Sequence, residues 1–260
     1  MLWVVQNNVH SEEGHARLME ALRHRSLPHV ECKIIPFGGG LHPEPEVDGP
    51  VVVVGTYSMV EIARERGWRP GSFANDNHDF RAQLPRWGDR MLNAGARIVR
   101  FGDVSKTRQP FFVRPVEDGK AFAGHVSSWG QYLRWREDVL AGANGTVVTL
   151  DTPVMLCPVR EIAREWRLWV VDGRVVTDSL YKEGRVPRSA AGAPSEVLQF
   201  AGEVMRSWEP ARAYCLDVAE LAAGDLKVIE VNCVNASGFY AADVGALVDA
   251  IEDMRFGDGG

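Results

Sequence analysis

Hydrophobic positions in the first hundred residues fall in short runs separated by helical patterns. The predicted strands are 2–6, 30–37 and 51–54. One helix is predicted to begin at the capping residue Ser11, and a second helix is predicted over 58–67. Strands that alternate with helices are typical of a parallel sheet with crossover connections. The first part of the chain is therefore predicted to be a small parallel α/β unit.

The pattern changes near residue 110, where apolar runs are joined by tight turns instead of helices. The predicted hairpins pair 111–116 with 120–126, 166–171 with 174–181, and 214–221 with 226–232, and the last helix is predicted over 241–254. The turn Asp172-Gly173 is the strongest of these hairpin signals. Residues 183–195 are polar and are predicted to form a loop. We expect two domains, over residues 1–103 and 104–260.

Composition and charge narrow the function classes. The chain has 260 residues, 45% of them hydrophobic, and a formal net charge of −6, which disfavours nucleic acid as a partner without excluding it. No apolar run approaches the ~18 residues that span a membrane, so a cytoplasmic protein is predicted. Four scattered cysteines indicate neither a zinc site nor a disulfide framework. The stripe with Trp129 and Trp135 is predicted to be a helix that packs its Trp face, with a nucleic-acid surface as the alternative.

Candidate chemistry lies in the last predicted hairpin. If Ala223-Gly224 is a two-residue turn, Asp217 lies directly opposite Glu230, and Asn232 follows on the same face. The reverse face, including Ile229, would then be apolar. Two opposed carboxylates and an amide oxygen are ligands that suit Mg²⁺. The alternative is a solvated pair of carboxylates, or one carboxylate with a raised pKa.

These residues carry a family resemblance. The segments 214–218 (YCLDV), 228–232 (VIEVN) and 235–240 (NASGFY) resemble the C-terminal metal-binding signature of the ATP-grasp superfamily. Upstream, 112–115 (FVRP) and 165–173 (EWRLWVVDG) are similar to strands of the same superfamily. The chain most resembles the clade named for two arginines and one lysine. The resemblance implies an α/β (α+β) fold, an ATP-grasp module with two antiparallel-sheet subdomains preceded by a small parallel α/β (pre-ATP-grasp) domain.

The resemblance also implies roles for individual residues in binding ATP and Mg²⁺. The implied metal ligands are Asp217, Glu230 and Asn232. The implied nucleotide contacts are Arg114, which replaces the usual lysine, Lys120, Lys106, and the hinge residues Cys157, Val159 and Glu161. Pro158 in the hinge has no N–H to donate to the adenine.

Further residues are implied to act on the reacting groups. Arg167 would act at the γ-phosphate or the acyl intermediate together with Lys120. If Asp172-Gly173 is a two-residue turn, Arg167 instead lies opposite Asp178, and a cross-strand ion pair is the alternative. The implied substrate contacts are Tyr181, Lys182, Asn235, Ser237 and Tyr240.

The reaction that the resemblance implies is ATP- and Mg²⁺-dependent joining of a carboxylate to an amine through an acylphosphate, with release of ADP and phosphate. The substrates would be small molecules or peptides. The alternatives are a phosphotransferase of the same fold, a ligase that modifies nucleic acids or protein ends, and a nucleotide-binding module without catalysis. The sequence predicts neither substrate identity nor an oligomeric state.

Overall fold

The first sheet belongs to the α/β unit. The structure is a computed structural model that describes residues 1–7, 12–35, 40–116, 121–142 and 147–255. The strands are β1 (Leu2–Gln6), β2 (His29–Ile34), β3 (Leu41–His42), β4 (Val51–Val54) and β5 (Pro70–Gly71), in the order β3-β2-β1-β4-β5. The helices are α1 (Glu12–His24), α2 (Tyr57–Glu65) and α3 (Phe80–Trp87). β1 pairs in parallel with β2 and β4, which confirms the predicted parallel unit.

A small antiparallel sheet follows. Its strands are β6 (Arg97–Arg100), β7 (Phe111–Pro115), β8 (His125–Ser127) and β9 (Pro153–Pro158), in the order β6-β9-β7-β8. The predicted domain boundary after residue 103 falls between β6 and its sheet partners. The helix α4 (Trp129–Leu140) packs Trp129 and Trp135 against one face of this sheet, which confirms the packing interpretation.

The predicted strand 120–126 is wrong over its described first part. Residues 121–124 are not strand, because Phe122 turns inward and its ring lies 4.7 Å from that of Trp135. The predicted turn 117–119 and Lys120 lie outside the described residues, as do Ser11 and residues 36–39.

The large antiparallel sheet forms the centre of the molecule. Its strands are β10 (Ile162–Val171), β11 (Arg174–Glu183), β12 (Val186–Ala190), β13 (Ala213–Leu221) and β14 (Leu226–Asn232), in the order β12-β11-β10-β13-β14. The helices are α5 (Ser195–Ser207) and α6 (Val244–Glu252), so the last helix is shorter than predicted. The loop predicted over 183–195 contains β12. This edge strand is mostly exposed, so it has no hydrophobic alternation to reveal it.

Two bulges change the predicted registers. A bulge between Trp169 and Val170 places Arg167 opposite Ser179, so the predicted pairing with Asp178 is wrong. A second bulge lies beside Asp217. The predicted two-residue turn Ala223-Gly224 is wrong, because the loop has three residues, Ala222–Gly224; the bulge compensates for the extra residue, so Asp217 still pairs with Glu230 as predicted.

The second bulge also decides which apolar residues of β14 enter the core. Val228 is buried, whereas Ile229, predicted on the apolar reverse face, lines a cavity on the other side.

The large sheet is buried on both faces. One face packs against the first sheet, α1 and α6 through a core that includes Trp3, Trp169 and Val248. The other packs against α5 and the small sheet through a core that includes Leu168 and Met155. Within the described ranges, no helix combines the length and apolar character that a membrane crossing requires.

Candidate active site

A cavity of about 250 Å³ lies between the small and the large sheet. Phe112 and Arg114 line it from the small sheet, Gly124 from the segment before β8, and Ile162, Glu165, Lys182 and Ile229 from the large sheet. Gly124 permits this shape, because a Cβ there would lie 2.6 Å from a ring carbon of Phe112 and 3.0 Å from the Cβ of Arg114. The cavity therefore combines apolar walls with a few charged groups, which is typical of ligand sites.

Arg167 and Asp217 form a buried ion pair beside this cavity. They are register neighbours on β10 and β13, and Arg167 donates from Nε to Oδ1 and from Nη2 to Oδ2, both at 2.8 Å. The side chain of Asp217 is 2% exposed, and burial raises its pKa while Arg167 opposes that rise. Burial disfavours the charge of Arg167, yet Asp217 outweighs it and holds the pKa of the guanidinium well above its ordinary value.

A second pair joins the two sheets across the cleft. Arg114 on β7 donates from Nη1 to Oε2 of Glu230 on β14 at 2.6 Å. The Nδ2 group of Asn232 donates to Asp217 Oδ2 at 3.1 Å and to Glu230 Oε1 at 3.2 Å. The three predicted metal ligands and the two arginines therefore form one continuous polar network.

The donor set suits a hard divalent cation. Asp217 and Glu230 face each other, and the amide of Asn232 contacts both of them. Rotation of that amide would present its oxygen in place of its NH₂ group and would complete a set of oxygen donors. Among the described residues, no three His, Cys, Asp or Glu side chains lie close enough together to hold a metal ion, and the set here consists of two carboxylates and an amide.

An aromatic pair covers the other side of Arg167. The Tyr181 and Tyr240 rings stack with centroids 5.2 Å apart, and the Arg167 guanidinium carbon lies 5.8 and 5.4 Å from their respective centroids. Tyr181 donates to Glu165 Oε2 at 2.7 Å, and Lys182 Nζ lies 2.8 Å from Glu165 Oε1. Burial raises the pKa of Tyr181, so its hydroxyl remains protonated. Three predicted catalytic or substrate residues, Arg167, Tyr181 and Tyr240, thus share one cluster.

The predicted hinge residues are placed differently from one another. Val159 lines both the cavity and a larger open depression of about 670 Å³ at the hinge end of the small sheet. Cys157 lines the depression but is not among the described residues that line the cavity. Burial raises the pKa of the Cys157 thiol to about 11. Glu161 and Lys106 are both exposed, and neither is among the described residues that line the cavity.

Two of the predicted substrate residues are buried in the loop after β14, where Asn235 connects this loop to the first sheet and Ser237 bonds locally. Asn235 is 2% exposed; it accepts from the Phe73 N–H at 2.9 Å and donates to the Val53 carbonyl at 2.6 Å. Ser237 donates to the carbonyl of Cys233 at 2.9 Å. The structure therefore places Asn235 between the end of β14 and the first sheet, with its amide engaged by backbone groups.

Sequence reasoning missed several residues around the site. Arg17 on α1 donates to the carbonyls of Tyr240 and Ala242, and Asn93 lines the cavity. No motif or periodicity marks these positions, because each reaches the site through contacts distant in sequence. Gly124, which precedes a predicted strand end, was the only one with a local signal, a glycine where backbones approach closely.

Comparisons with known proteins agree with this architecture. The model of an ATP-grasp domain family, family 3 of the clade named for two arginines and one lysine, matches residues 11–251. No curated protein sequence matches the chain.

Three solved structures share the fold. The ATP-grasp ligase PsnB, complexed with a minimal precursor, is 16% identical with a TM-score of 0.56, covering 96% of this chain and 97% of its own. The D-cycloserine synthetase DcsG is 15% identical with a TM-score of 0.59, covering 96% and 99%. A RimK domain ATP-grasp protein from Sphaerobacter thermophilus DSM 20745 is 13% identical with a TM-score of 0.61, covering 95% and 98%.

Proposed function

The chain belongs to family 3 of the ATP-grasp clade named for two arginines and one lysine and is an ATP-dependent ligase, and from this premise we propose that it joins a carboxylate to an amine through an acylphosphate. The observation that carries the proposal is the network of Arg114, Glu230, Asn232, Asp217 and Arg167 beside the cavity between the sheets. Such a network offers cation ligands and fixed positive charge at one place, which phosphoryl transfer requires.

Asp217, Glu230 and Asn232 would hold Mg²⁺. When bound, the ion neutralises charge on the ATP phosphates and orients them. The arginines already balance the two carboxylates in the structure, so the polar network is compatible with burial before any ligand is bound. A bound cation would replace the arginines as partners of the two carboxylates, and the phosphates would replace the carboxylates as partners of the arginines.

Arg167 and Arg114 supply the fixed charge in the proposed reaction. A carboxylate oxygen of the substrate attacks the γ-phosphorus, the bond to the ADP oxygen breaks, and ADP leaves. Arg167 stabilises charge on the transferred group, while Arg114 contacts the phosphates, with Lys120 as a further contact. The amine nitrogen then attacks the acyl carbon, phosphate leaves, and the nitrogen loses a proton.

The acceptor side would be formed by Tyr181, Lys182 and Tyr240, with Asn235 and Ser237 fixing the adjoining loop. Glu165 orients both Tyr181 and Lys182. The solved relatives include a ligase complexed with a precursor peptide and a D-cycloserine synthetase, so both peptides and small molecules are candidate substrates. We propose that residues 1–103 help to form this acceptor pocket and that the nucleotide binds in the cleft between the two antiparallel sheets.

An isotope experiment tests the proposed route. The protein is incubated with ATP, Mg²⁺, a panel of ¹⁸O-labelled carboxylates and a panel of unlabelled amines. The released phosphate is then examined by mass spectrometry. Transfer of one ¹⁸O atom from the carboxylate into phosphate, dependent on both substrates, is the expected result. A stable phosphorylated product that forms with no amine requirement would instead indicate a phosphotransferase. As a control, Arg167→Lys should retain charge but lose the two-point geometry, and its rate should fall.

A further inference from the structure

Asn93 is a buried polar residue that lines a cavity. The residue is 6% exposed and lines the cavity of about 250 Å³ between the sheets. Its side chain makes no hydrogen bond to any part of the chain that the structure describes, and only its backbone carbonyl is used, by the N–H of Ala96 at 2.9 Å. The amide is not one of the fully buried polar atoms that lack a partner, so it remains accessible, and a ligand in the cavity can pair with it without displacing a hydrogen bond to the described residues.

The segment that carries Asn93 is fixed against the large sheet. Met91 forms a parallel bridge with Val228, and the N–H of Leu92 donates to the Val228 carbonyl at 2.8 Å. Lys227 Nζ donates to the carbonyl of Asp89 at 2.7 Å. The backbone on the N-terminal side of Asn93 is therefore held beside β14, and recognition there would need little further ordering.

The surroundings of Asn93 suit a flat heteroaromatic ring. Phe112, Val159 and Ile229 give the same cavity apolar walls. Pro158, which also lines it, has no N–H, so the hinge offers one backbone donor fewer. An asparagine amide presents a donor and an acceptor side by side, the pattern that matches the N6 and N7 edge of adenine.

We propose that Asn93 determines nucleotide specificity by reading the adenine base with its side-chain amide. This inference rests on the proposed function, because it assumes that the cavity holds the nucleotide. The amide oxygen accepts from the 6-amino group and the amide NH₂ donates to a ring nitrogen. A 6-oxo purine places an acceptor where the donor is needed, so it forms only part of this pairing.

Nucleotide binding by Asn93 variants tests the proposal. Affinities for ATP, ITP and 2′-deoxy-ATP, each with Mg²⁺, are measured by titration calorimetry for the native protein, Asn93→Ala and Asn93→Leu. The native protein should bind ATP more tightly than ITP. Both variants should bind ATP about 10- to 100-fold more weakly but ITP by about threefold or less, so that the preference for ATP disappears.

Two controls separate recognition from folding. Thermal unfolding without nucleotide should be unchanged or shifted upward in Asn93→Leu, because no hydrogen bond to the described residues is lost. Leu92→Ala is the matched variant: Leu92 lines the same cavity with apolar atoms, so its truncation should weaken ATP and ITP equally and preserve their ratio.

Several results would overturn the inference. An ATP to ITP ratio that stays at its native value in Asn93→Ala and Asn93→Leu would exclude base reading by this amide. Loss of discrimination against 2′-deoxy-ATP, with the ITP ratio intact, would place Asn93 at the ribose and also contradict the proposal. Absence of binding of either nucleotide to the native protein would contradict the proposed function itself, and that outcome is distinct from the other two.

Discussion

On one face of the β10–β13 strand pair, the two ends bury different kinds of side chain. At one end Trp169, Val171 and Cys215 pack into the core shared with the α/β unit. At the other end, on the same face, Arg167 and Asp217 are nearly as buried but form a bidentate ion pair. Apolar burial stabilises without requiring a partner, whereas the charged end depends entirely on pairing.

A second contrast lies within the charged end. The Arg167–Asp217 pair is contained within one sheet, with side chains 11% and 2% exposed. The Arg114–Glu230 pair spans two sheets and is more accessible, at 18% and 27%. We therefore expect the inner pair to contribute to the fold as well as to the proposed chemistry, and the outer pair to open for a ligand at low cost to stability.

The largest expected effect follows from breaking the inner pair. Arg167→Met leaves Asp217 buried without its cation and should lower the free energy of unfolding by about 3–5 kcal/mol. Urea unfolding measures this change.

The matched control removes both charges. Arg167→Met with Asp217→Leu should recover most of the loss, because no unpaired charge remains buried. A single variant as stable as the native protein would show that the pair contributes nothing, and the distinction between the two ends would fail.

The outer pair should affect ligand binding more than stability. Arg114→Met should change the free energy of unfolding by about 1 kcal/mol or less. Its affinity for Mg²⁺-nucleotide should fall about 10- to 100-fold, because a charged hydrogen bond to phosphate is lost. Calorimetric titration and urea unfolding on the same sample give both values.

Arg114→Lys is the control for the outer pair, since it keeps the charge and should bind more tightly than Arg114→Met. A large stability loss combined with native affinity would reverse the assignment of the two pairs.

Loss of the hydrogen bonds that connect Asn235 to the α/β unit should lower the stability of the fold. Asn235→Ala removes an amide that bonds Val53 and Phe73, so unfolding should become easier by about 1–3 kcal/mol. Ser237→Ala, which loses one bond to Cys233, should cost less, about 0.5–1.5 kcal/mol. A changed KM with native stability in Asn235→Ala would indicate direct substrate contact instead.

The smallest expected effect is on the pH dependence of the free energy of unfolding, through the buried thiol of Cys32 on β2. Burial raises the pKa of Cys32 from 9.0 to about 11. A raised pKa favours the folded state below pH 9, and this contribution is lost as pH rises from 9 toward 11. Between pH 8 and pH 10 the native protein should lose about 1 kcal/mol more stability than Cys32→Ala. Parallel pH dependence in the two proteins would show that the thiol titrates normally.

Local patterns were sufficient to predict the strands that carry the proposed metal ligands. β14 has the predicted bounds, β13 begins one residue before the predicted position, and Asp217 faces Glu230 as expected. Hairpin geometry is set by nearby residues, which is why the sequence permits such a prediction. The family resemblance, confirmed by the match over residues 11–251, added the chemistry that spacing alone left open.

The errors arose where packing overrides local geometry. The bulge beside Val170 moved Arg167 away from Asp178 and left it paired with Asp217 on the other neighbouring strand. The partner of Arg114 and the position of Asn93 depend on how separate sheets meet, and no short-range pattern encodes this. β12 was predicted as part of a loop, because an exposed edge strand has no apolar face that the sequence pattern could indicate.

Thermal unfolding tests most directly whether Asp217, Glu230 and Asn232 form a metal-dependent nucleotide site. The native protein and Glu230→Gln are compared with and without a non-hydrolysable ATP analogue, in the presence and absence of Mg²⁺. At about 100 times its Kd the ligand should stabilise the native protein by ~2.7 kcal/mol, raising Tm by several degrees, only when Mg²⁺ is present. The shift should largely disappear in Glu230→Gln. Equal shifts in both proteins, or no shift in the native one, would contradict the account.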